Sequence, residues 1–209
     1  MPQKIVPLLD NEFYHIYNRG VDKRDVFLDK EDYLRFYQSL YVFNVVEPTI
    51  NFDSAKAKLK NITNQETLVE IVAYSLLPNH FHLLVKQCCE NGISEFMRRI
   101  STGYTSYFNQ KNVRSGSLFQ GRFKRVHIDT DSQYNYIFAY VNENHFVHNV
   151  DINREICHSS SIHYQGISSS KLIKQKDDRK IYNVSTNVDL AHSIYLKRNS
   201  AKVDKELLE

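Results

Sequence analysis

The sequence has little cysteine, little proline and no tryptophan: 3 Cys, 4 Pro and no Trp among 209 residues. Cys88 and Cys89 are adjacent and Cys157 lies far away, which fits neither a disulfide framework nor a zinc site of the C-x-x-C type. No apolar run approaches the roughly 20 residues of a membrane span, and the opening MPQKIVPLLDNEF lacks the cationic start and apolar segment of a signal peptide. We therefore expect a cytoplasmic protein whose thiols are reduced.

The charge is unevenly distributed along the chain. The whole chain has a net charge of +3, whereas seven basic side chains and one acid lie between residues 94 and 127. They are Arg98, Arg99, Lys111, Arg114, Arg122, Lys124 and Arg125, against Glu95. Positive charge concentrated in one region is typical of phosphate binding, although a solvated charged face has the same composition.

The hydrophobic periodicity predicts alternating strands and helices. In chain order the predicted elements are a strand over residues 12–17, a helix over 30–43, a hairpin over 68–86 that turns at Pro78-Asn79, a helix after Asn91-Gly92, a strand over 117–128 and a helix over 132–146. Residues 46–66 have no clear period, so we expect an excursion over the surface there.

This order, β-α-β-β-α-β-α, is that of the split β-α-β or ferredoxin-like fold with one added helix. We therefore predict an α+β fold in which helices pack on an antiparallel sheet. The length suits one domain and an extension, so we predict a domain over residues 1–150 and a C-terminal extension over 151–209. The extension is polar and of mixed charge, and we expect only a short strand or helix within it.

The stretch SLLPNHFHLLVK places two histidines one residue apart in an otherwise apolar strand. Side chains at i and i+2 of a strand share a face, so His80 and His82 project together while Phe81 enters the opposite side. Two imidazoles on one face are half of a divalent-metal site, and a hydrogen-bonded, half-buried pair is the alternative.

On the last predicted helix, Tyr140 and Asn144 are neighbours at i and i+4, at the edge of the packed stripe. Tyr140 is there either to reach a metal on the sheet or as an amphipathic residue at a core margin.

Four motifs together resemble a known group of DNA enzymes. LLPNHFHLLVK resembles the His-hydrophobic-His motif of the HUH endonucleases, in the Pro-Asn-His-x-His-Leu-Leu form of the single-tyrosine, insertion-sequence-type transposases, which include the REP-associated tyrosine transposases. FYHIYNRG at 13–20 and SGSLFQGRFKRV at 115–126 match in order, and YVNENHFVHN at 140–149 resembles the family segment Tyr-Ile-x-x-Asn-Pro-Val. The resemblance covers about residues 12–165.

The resemblance implies a role for each matched residue. His80 and His82 correspond to metal ligands, Tyr140 to the nucleophile and Asn144 to a third ligand. The family proline after the asparagine is His145 here, so the third ligand is open between Asn144 and His145. The implied activity is cleavage and joining of single-stranded DNA through a 5′-phosphotyrosine, with Mg²⁺ or Mn²⁺ as cofactor. A stem-loop DNA substrate and a homodimer are also implied.

Further basic residues are candidates for DNA binding. Arg122 and Lys124 share a strand face by the two-residue period, and the other candidates are Arg125, Arg98, Arg99 and Arg19. Arg19 follows the first strand, so it either contacts DNA or caps a turn. Phe119 and Phe123 are either stacking surfaces or core residues. We expect His15 and His127 to be structural.

Two other functions are compatible with parts of this pattern. A domesticated, non-catalytic nucleic-acid-binding regulator of the same fold would keep the basic surface without the chemistry, but His80, His82 and Tyr140 are all present. A rolling-circle initiator or relaxase shares the His-x-His pair, but the short chain and the position of the tyrosine after the histidines favour the transposase arrangement. We therefore favour an active DNA strand transferase.

Overall fold

A four-stranded antiparallel sheet forms the centre of the computed structural model, which describes residues 7–47, 51–59, 66–148, 159–167, 169–170, 172–173, 183, 186–193 and 196. The strands are β1 (Phe13–Arg19), β2 (Val69–Leu77), β3 (His80–Gln87) and β4 (Lys124–Ile128), in the spatial order β2-β3-β1-β4. The helices around it are α1 (Lys30–Val42), α2 (Phe52–Leu59), α3 (Gly92–Lys111), α4 (Asp131–Val147) and the short α5 (Ser161–Tyr164), and residues 186–193 are also helical. The predicted ferredoxin-like α+β fold is confirmed.

Two stretches of sequence differ from their predicted structure. The stretch 46–66 contains α2, and its short apolar face, with Phe52 and Ala55 buried, gave too weak a period to recognise. Residues 117–123 are not part of β4, because Gly121 has a positive φ of 70° and turns the chain. The backbone of Phe119 forms an isolated bridge to Gly20 instead of a continuous strand.

The alternation of β3 separates the two faces of the sheet. Phe81 and Leu83 are fully buried under α1 and α3, where the Phe81 ring lies 5.0 Å from the Phe36 ring, measured between centroids. His82 lies on the other face, under α4. His80 and His82 therefore project to the face opposite Phe81, as predicted. We call the side of the sheet that carries the two imidazoles the histidine face.

Local sequence signals fix where the helices begin and how closely they pack. Asp29 caps α1 by accepting a hydrogen bond from the Asp32 N–H, and Thr130 caps α4 by accepting one from the Gln133 N–H. Gly103 lies inside α3, where a Cβ atom would come within 2.9 Å of the Phe43 ring. This glycine allows α3 to approach the end of α1.

Residues of the C-terminal extension connect α4 to β2. The Tyr74 N–H donates to Ser160 Oγ at 2.9 Å, and the Ser160 N–H donates to the Tyr74 carbonyl at 2.9 Å. Ser160 Oγ also donates to Asn142 Oδ1 on α4 at 2.6 Å, and Ser159 Oγ donates to the Asn142 carbonyl at 2.7 Å. These serines are fully buried, so the network holds α4 against the sheet. Among the described residues, no helix is both long enough and apolar enough to cross a membrane.

The serine network leads to a prediction about stability. Ser160→Ala leaves the buried Tyr74 N–H and Asn142 Oδ1 without their partner, which we expect to lower the free energy of unfolding by about 1 to 3 kcal/mol. Urea denaturation measures the loss, with Ser132→Ala as the control because Ser132 lies exposed on α4, outside the network. Equal stability of the two variants would contradict a role for Ser160 in holding α4.

Candidate active site

Strand register brings the candidate residues of three strands into adjacent rows on the histidine face. Tyr17 on β1 lies directly between His82 on β3 and Lys124 on β4. In the next row, Arg19 pairs with His80. Directly opposed residues of antiparallel strands share a face, so Lys124 and Arg19 lie on the side of the sheet that carries the imidazoles. The sheet therefore combines two histidines with two cations.

The environment of His80 keeps its ring neutral and fixes its tautomer. Nδ1 lies 2.6 Å from Asn79 Oδ1, which only accepts hydrogen bonds, so the ring proton is on Nδ1 and the lone pair on Nε2. Burial, with smaller contributions from the nearby His148 and Arg19, lowers the pKa of His80 to about 4. A neutral imidazole with an unprotonated Nε2 is the form that binds a divalent metal.

His82 lies at the centre of a group of rings. It is buried, with its Nδ1 2.9 Å from His15 Nε2. Its ring stacks on Tyr17 at 5.6 Å and meets the Tyr140 ring edge-on at 5.3 Å, both measured between centroids. Sequence reasoning assigned His15 a structural role, yet its side chain lies within this group, on the same face as the two motif histidines.

One stripe of α4 faces these histidines. Tyr140 contacts His82, Asn144 follows one turn later, and His148 follows at the end of the helix, with its ring 5.3 Å from the His80 ring. Burial lowers the pKa of His148. His148 was not among the predicted site residues, although its spacing of eight residues from Tyr140 is the signal that places it on the same stripe. The site thus contains His15 and His148 beside the predicted residues.

The amide of Asn144 shows how a metal would fit. Within the described part of the chain, its Oδ1 and Nδ2 are both buried and have no hydrogen-bond partner. An unpaired buried amide costs free energy unless a ligand satisfies it, and a divalent metal would satisfy Oδ1. The described residues contain no cluster of three His, Cys, Asp or Glu side chains able to hold a metal. The groups here that could hold a metal are the imidazoles of His80 and His82 and the amide oxygen of Asn144.

The predicted DNA-binding residues fall into two groups. Arg19 and Lys124 lie on the histidine face, and Arg122 is exposed just before β4. Arg125 pairs with Ile16, whose side chain belongs to the opposite, apolar face. Arg98 and Arg99 belong to α3, which also packs on that opposite face. The basic segment 94–127 therefore does not form one continuous surface.

Arg99 has a structural environment. Its side chain is 6% exposed, and it donates to Glu95 at 2.7 Å and to the Val45 carbonyl at 2.7 Å. It also donates to the carbonyl of Glu47 at 3.1 Å. A buried guanidinium held in this way connects α3 to the chain after α1 and has little surface to offer to DNA. Arg98 is 63% exposed and pairs with the same carboxylate.

Phe119 and Phe123 were open between stacking and core roles, and His127 was expected to be structural. Phe119 is buried, and its ring lies 5.6 Å from the Phe81 ring, so it is a core residue. Phe123 is partly buried and packs against the same core. His127 lies 3.2 Å from a Glu12 oxygen and packs on Tyr14, which agrees with a structural role.

A ferredoxin-like sheet that carries a His-x-His pair opposite a helical tyrosine defines an HUH-type single-tyrosine protein. Residues 41–144, about half of the chain, match the family model described as "Transposase IS200 like". The chain belongs to this family of transposases. The matched range includes both motif histidines, Tyr140 and Asn144.

One solved structure supports the same fold. The chain is similar to a REP-associated tyrosine transposase solved bound to a REP hairpin, with a TM-score of 0.54 and 14% sequence identity over 84% of this chain and 98% of that one. A provisionally assigned transposase from Deinococcus radiodurans R1 matches more loosely, with a TM-score of 0.37 and 14% identity over 69% of this chain and 95% of that one. A search of curated proteins found no match to the sequence.

The Glu95 pair predicts a pH dependence of stability. Hydrogen bonds from Arg98 and then Arg99 lower the pKa of Glu95 from 4.5 to about 2. A carboxyl group with a lowered pKa contributes stability that is complete above pH 4.5 and is lost as the pH falls toward 2. We expect Glu95→Gln to reduce the free energy of unfolding by about 1 to 2 kcal/mol at pH 7, because Glu95 is partly exposed.

The difference between wild type and Glu95→Gln should shrink as the pH falls from 4.5 to 2. Urea denaturation at a series of pH values measures it. A difference that stays constant across this range would mean that the carboxylate does not stabilise the fold through its charge.

Proposed function

We propose that the protein cleaves and rejoins single-stranded DNA, with Tyr140 as the nucleophile. The observation that carries this proposal is the contact of the Tyr140 ring with His82, which places a helical phenol beside the two imidazoles on the sheet. The family of the chain supports DNA transposition as the biological process. The solved relative with a bound REP hairpin supports a stem-loop DNA as the substrate.

The proposed reaction exchanges one phosphodiester for another. The Tyr140 hydroxyl loses its proton and its oxygen forms a bond to phosphorus, the bond between phosphorus and the 3′ oxygen breaks, and the departing oxygen takes up a proton, so one proton is released and one is taken up. The products are a 5′-phosphotyrosine and a free 3′-hydroxyl. Because the energy of the bond is conserved in the covalent intermediate, a second 3′-hydroxyl reverses the step and joins strands without a nucleotide cofactor.

His80, His82 and Asn144 would hold the divalent metal, either Mg²⁺ or Mn²⁺. When bound, the metal supplies positive charge that polarises a non-bridging phosphate oxygen and offsets the charge that develops in the transition state. The choice of Asn144 over His145 rests on the stripe it shares with Tyr140. His145 is one residue further, about 100° around the helix from Asn144.

Basic residues on the histidine face would bind the DNA backbone. Lys124 lies two strands from His82 in the same row, which is a separation of roughly 10 Å at 4.8 Å per strand. Arg19 lies beside His80 in the next row. A strand that crossed this face would bring its phosphates past Lys124 and Arg19 to Tyr140, and Arg122 extends the same side.

A covalent adduct tests the nucleophile. We expect labelled single-stranded DNA from the flanks of the gene, incubated with protein and Mn²⁺ or Mg²⁺, to form an adduct that survives a denaturing gel. Tyr140→Phe removes the attacking oxygen, so the adduct should fall by at least about a thousandfold, to background. EDTA should also abolish it.

Tyr136→Phe is the matched control, because Tyr136 lies one turn earlier on α4 and packs against the core. It should form the adduct at the wild-type level. An adduct that survives Tyr140→Phe but not Tyr136→Phe would assign the nucleophile to Tyr136. DNA binding in a native gel without an adduct under any metal would favour the non-catalytic DNA-binding regulator.

The salt dependence of binding tests the DNA path. Arg122→Ala combined with Lys124→Ala should weaken binding and reduce the log-log salt slope by about 0.7 for each single-strand phosphate contact that is lost. Arg98→Ala is the control, since this residue lies on α3 and should leave the slope unchanged. Fluorescence anisotropy over a range of NaCl concentrations measures both. A slope that changes only with Arg98→Ala would place the DNA on the opposite side of the sheet.

Two further expectations stay predictions. The contact between Tyr140 and His82 forms within one chain, so these two residues meet without a second subunit, and a homodimer remains to be tested by sedimentation. Residence in the cytoplasm is likewise a prediction from the sequence.

A further inference from the structure

The imidazole of His15 forms a buried hydrogen bond with a proposed metal ligand. His15 Nε2 lies 2.9 Å from His82 Nδ1, and the two residues are 67 positions apart in the sequence. His15 is 2% exposed, and its ring stacks on His82 at 5.1 Å and on Tyr17 at 5.0 Å between centroids. It also meets the Tyr140 ring edge-on at 6.0 Å. His15 therefore touches both the ligand and the nucleophile.

The hydrogen bond determines which nitrogen of His82 is used. With Nδ1 directed at His15, a metal would bind His82 through Nε2. The Nδ1–H of His82 then donates a hydrogen bond to His15 Nε2. Because Nε2 of His15 is the acceptor, the ring proton of His15 is on its own Nδ1. His80 has the same arrangement, because its Nδ1 pairs with Asn79 Oδ1. Both imidazoles are held at Nδ1, one by an amide and the other by a third imidazole.

We propose that His15 is a positioning residue that orients His82 for metal binding. This inference rests on the proposed function, since it assumes a metal held by His80 and His82. Metal-bound histidines usually donate their second ring N–H to a fixed acceptor, and loss of such an acceptor typically weakens metal affinity by about 10- to 100-fold. His15 is that acceptor for His82.

The role of His15 differs from ordinary packing because it depends on one acceptor atom at one distance. A phenylalanine at position 15 would keep a flat ring against Tyr17 and Tyr140 but would offer no acceptor. A glutamine places its Oε1 near the position of His15 Nε2, whereas an asparagine is one methylene too short to reach His82. His15→Gln and His15→Asn both place a polar amide in the same buried position, but only His15→Gln can reach His82. Comparing the two variants therefore isolates the effect of the hydrogen bond.

The experiment measures Mn²⁺ binding to the full chain without DNA, from the EPR signal of free Mn²⁺ at pH 7.5. We expect His15→Phe and His15→Asn to weaken binding by about 10- to 100-fold, and His15→Gln to stay within about threefold of wild type. Near-UV circular dichroism and thermal unfolding show that each variant is folded. The Gln and Asn pair keeps the test decisive if His15→Phe does not fold.

Two control variants show whether a change in Mn²⁺ affinity comes from the proposed metal site. Tyr14→Phe removes a hydrogen bond to the Leu9 N–H from the same strand but on the opposite face, and should leave Mn²⁺ binding unchanged. His80→Ala with His82→Ala should abolish it. If wild type binds no Mn²⁺, the proposed metal site itself fails and the inference fails with it.

Two results with a metal-binding wild type would overturn the role of His15 alone. Affinity unchanged in both His15→Phe and His15→Asn would show that His82 needs no partner. Affinity abolished in all three His15 variants, His15→Gln included, would make His15 a metal ligand rather than a positioning residue.

Discussion

The proposed chemistry depends on the packing of α4 against the histidine face of the sheet. Strand alternation places two imidazoles side by side, but it supplies no nucleophile. The buried hydrogen bonds of Ser159 and Ser160 join α4 to β2, and they are maintained because unpaired polar groups in the interior are costly. Through that connection the Tyr140 ring lies against His82.

The two faces of the sheet differ in composition and in role. One is apolar and packs under α1 and α3, where Phe36 and Phe81 are fully buried and contribute hydrophobic stabilisation. The other carries polar rings whose orientation is fixed by hydrogen bonds, and it has Arg19 and Lys124 in adjacent rows. A rigid, well-packed scaffold under a polar face keeps side chains from opposite ends of the sequence within the narrow tolerances that catalysis requires.

Much of the fold was predictable because its signals are local. The hairpin at Pro78-Asn79 and the long helices follow from periodicities of two and 3.6 residues, which depend only on neighbours in sequence. The short helix α2 and the turn at Gly121 were missed, because a weak apolar face and a single glycine leave the period ambiguous. How the basic segment is distributed in space could not be read from the sequence: Arg99 is buried on α3, while Lys124 lies on the other face of the sheet.

The sequence by itself determined that His80 and His82 share a face, that Tyr140 and Asn144 share a helical stripe, and which family their motifs resemble. These are consequences of backbone geometry over a few residues. Only the tertiary structure decided that His15 is the hydrogen-bond partner of His82 and that Ser160 holds α4 in place. Those contacts join positions 67 and 18 residues apart, and no local period can encode them, because they arise only when the sheet and helices pack together.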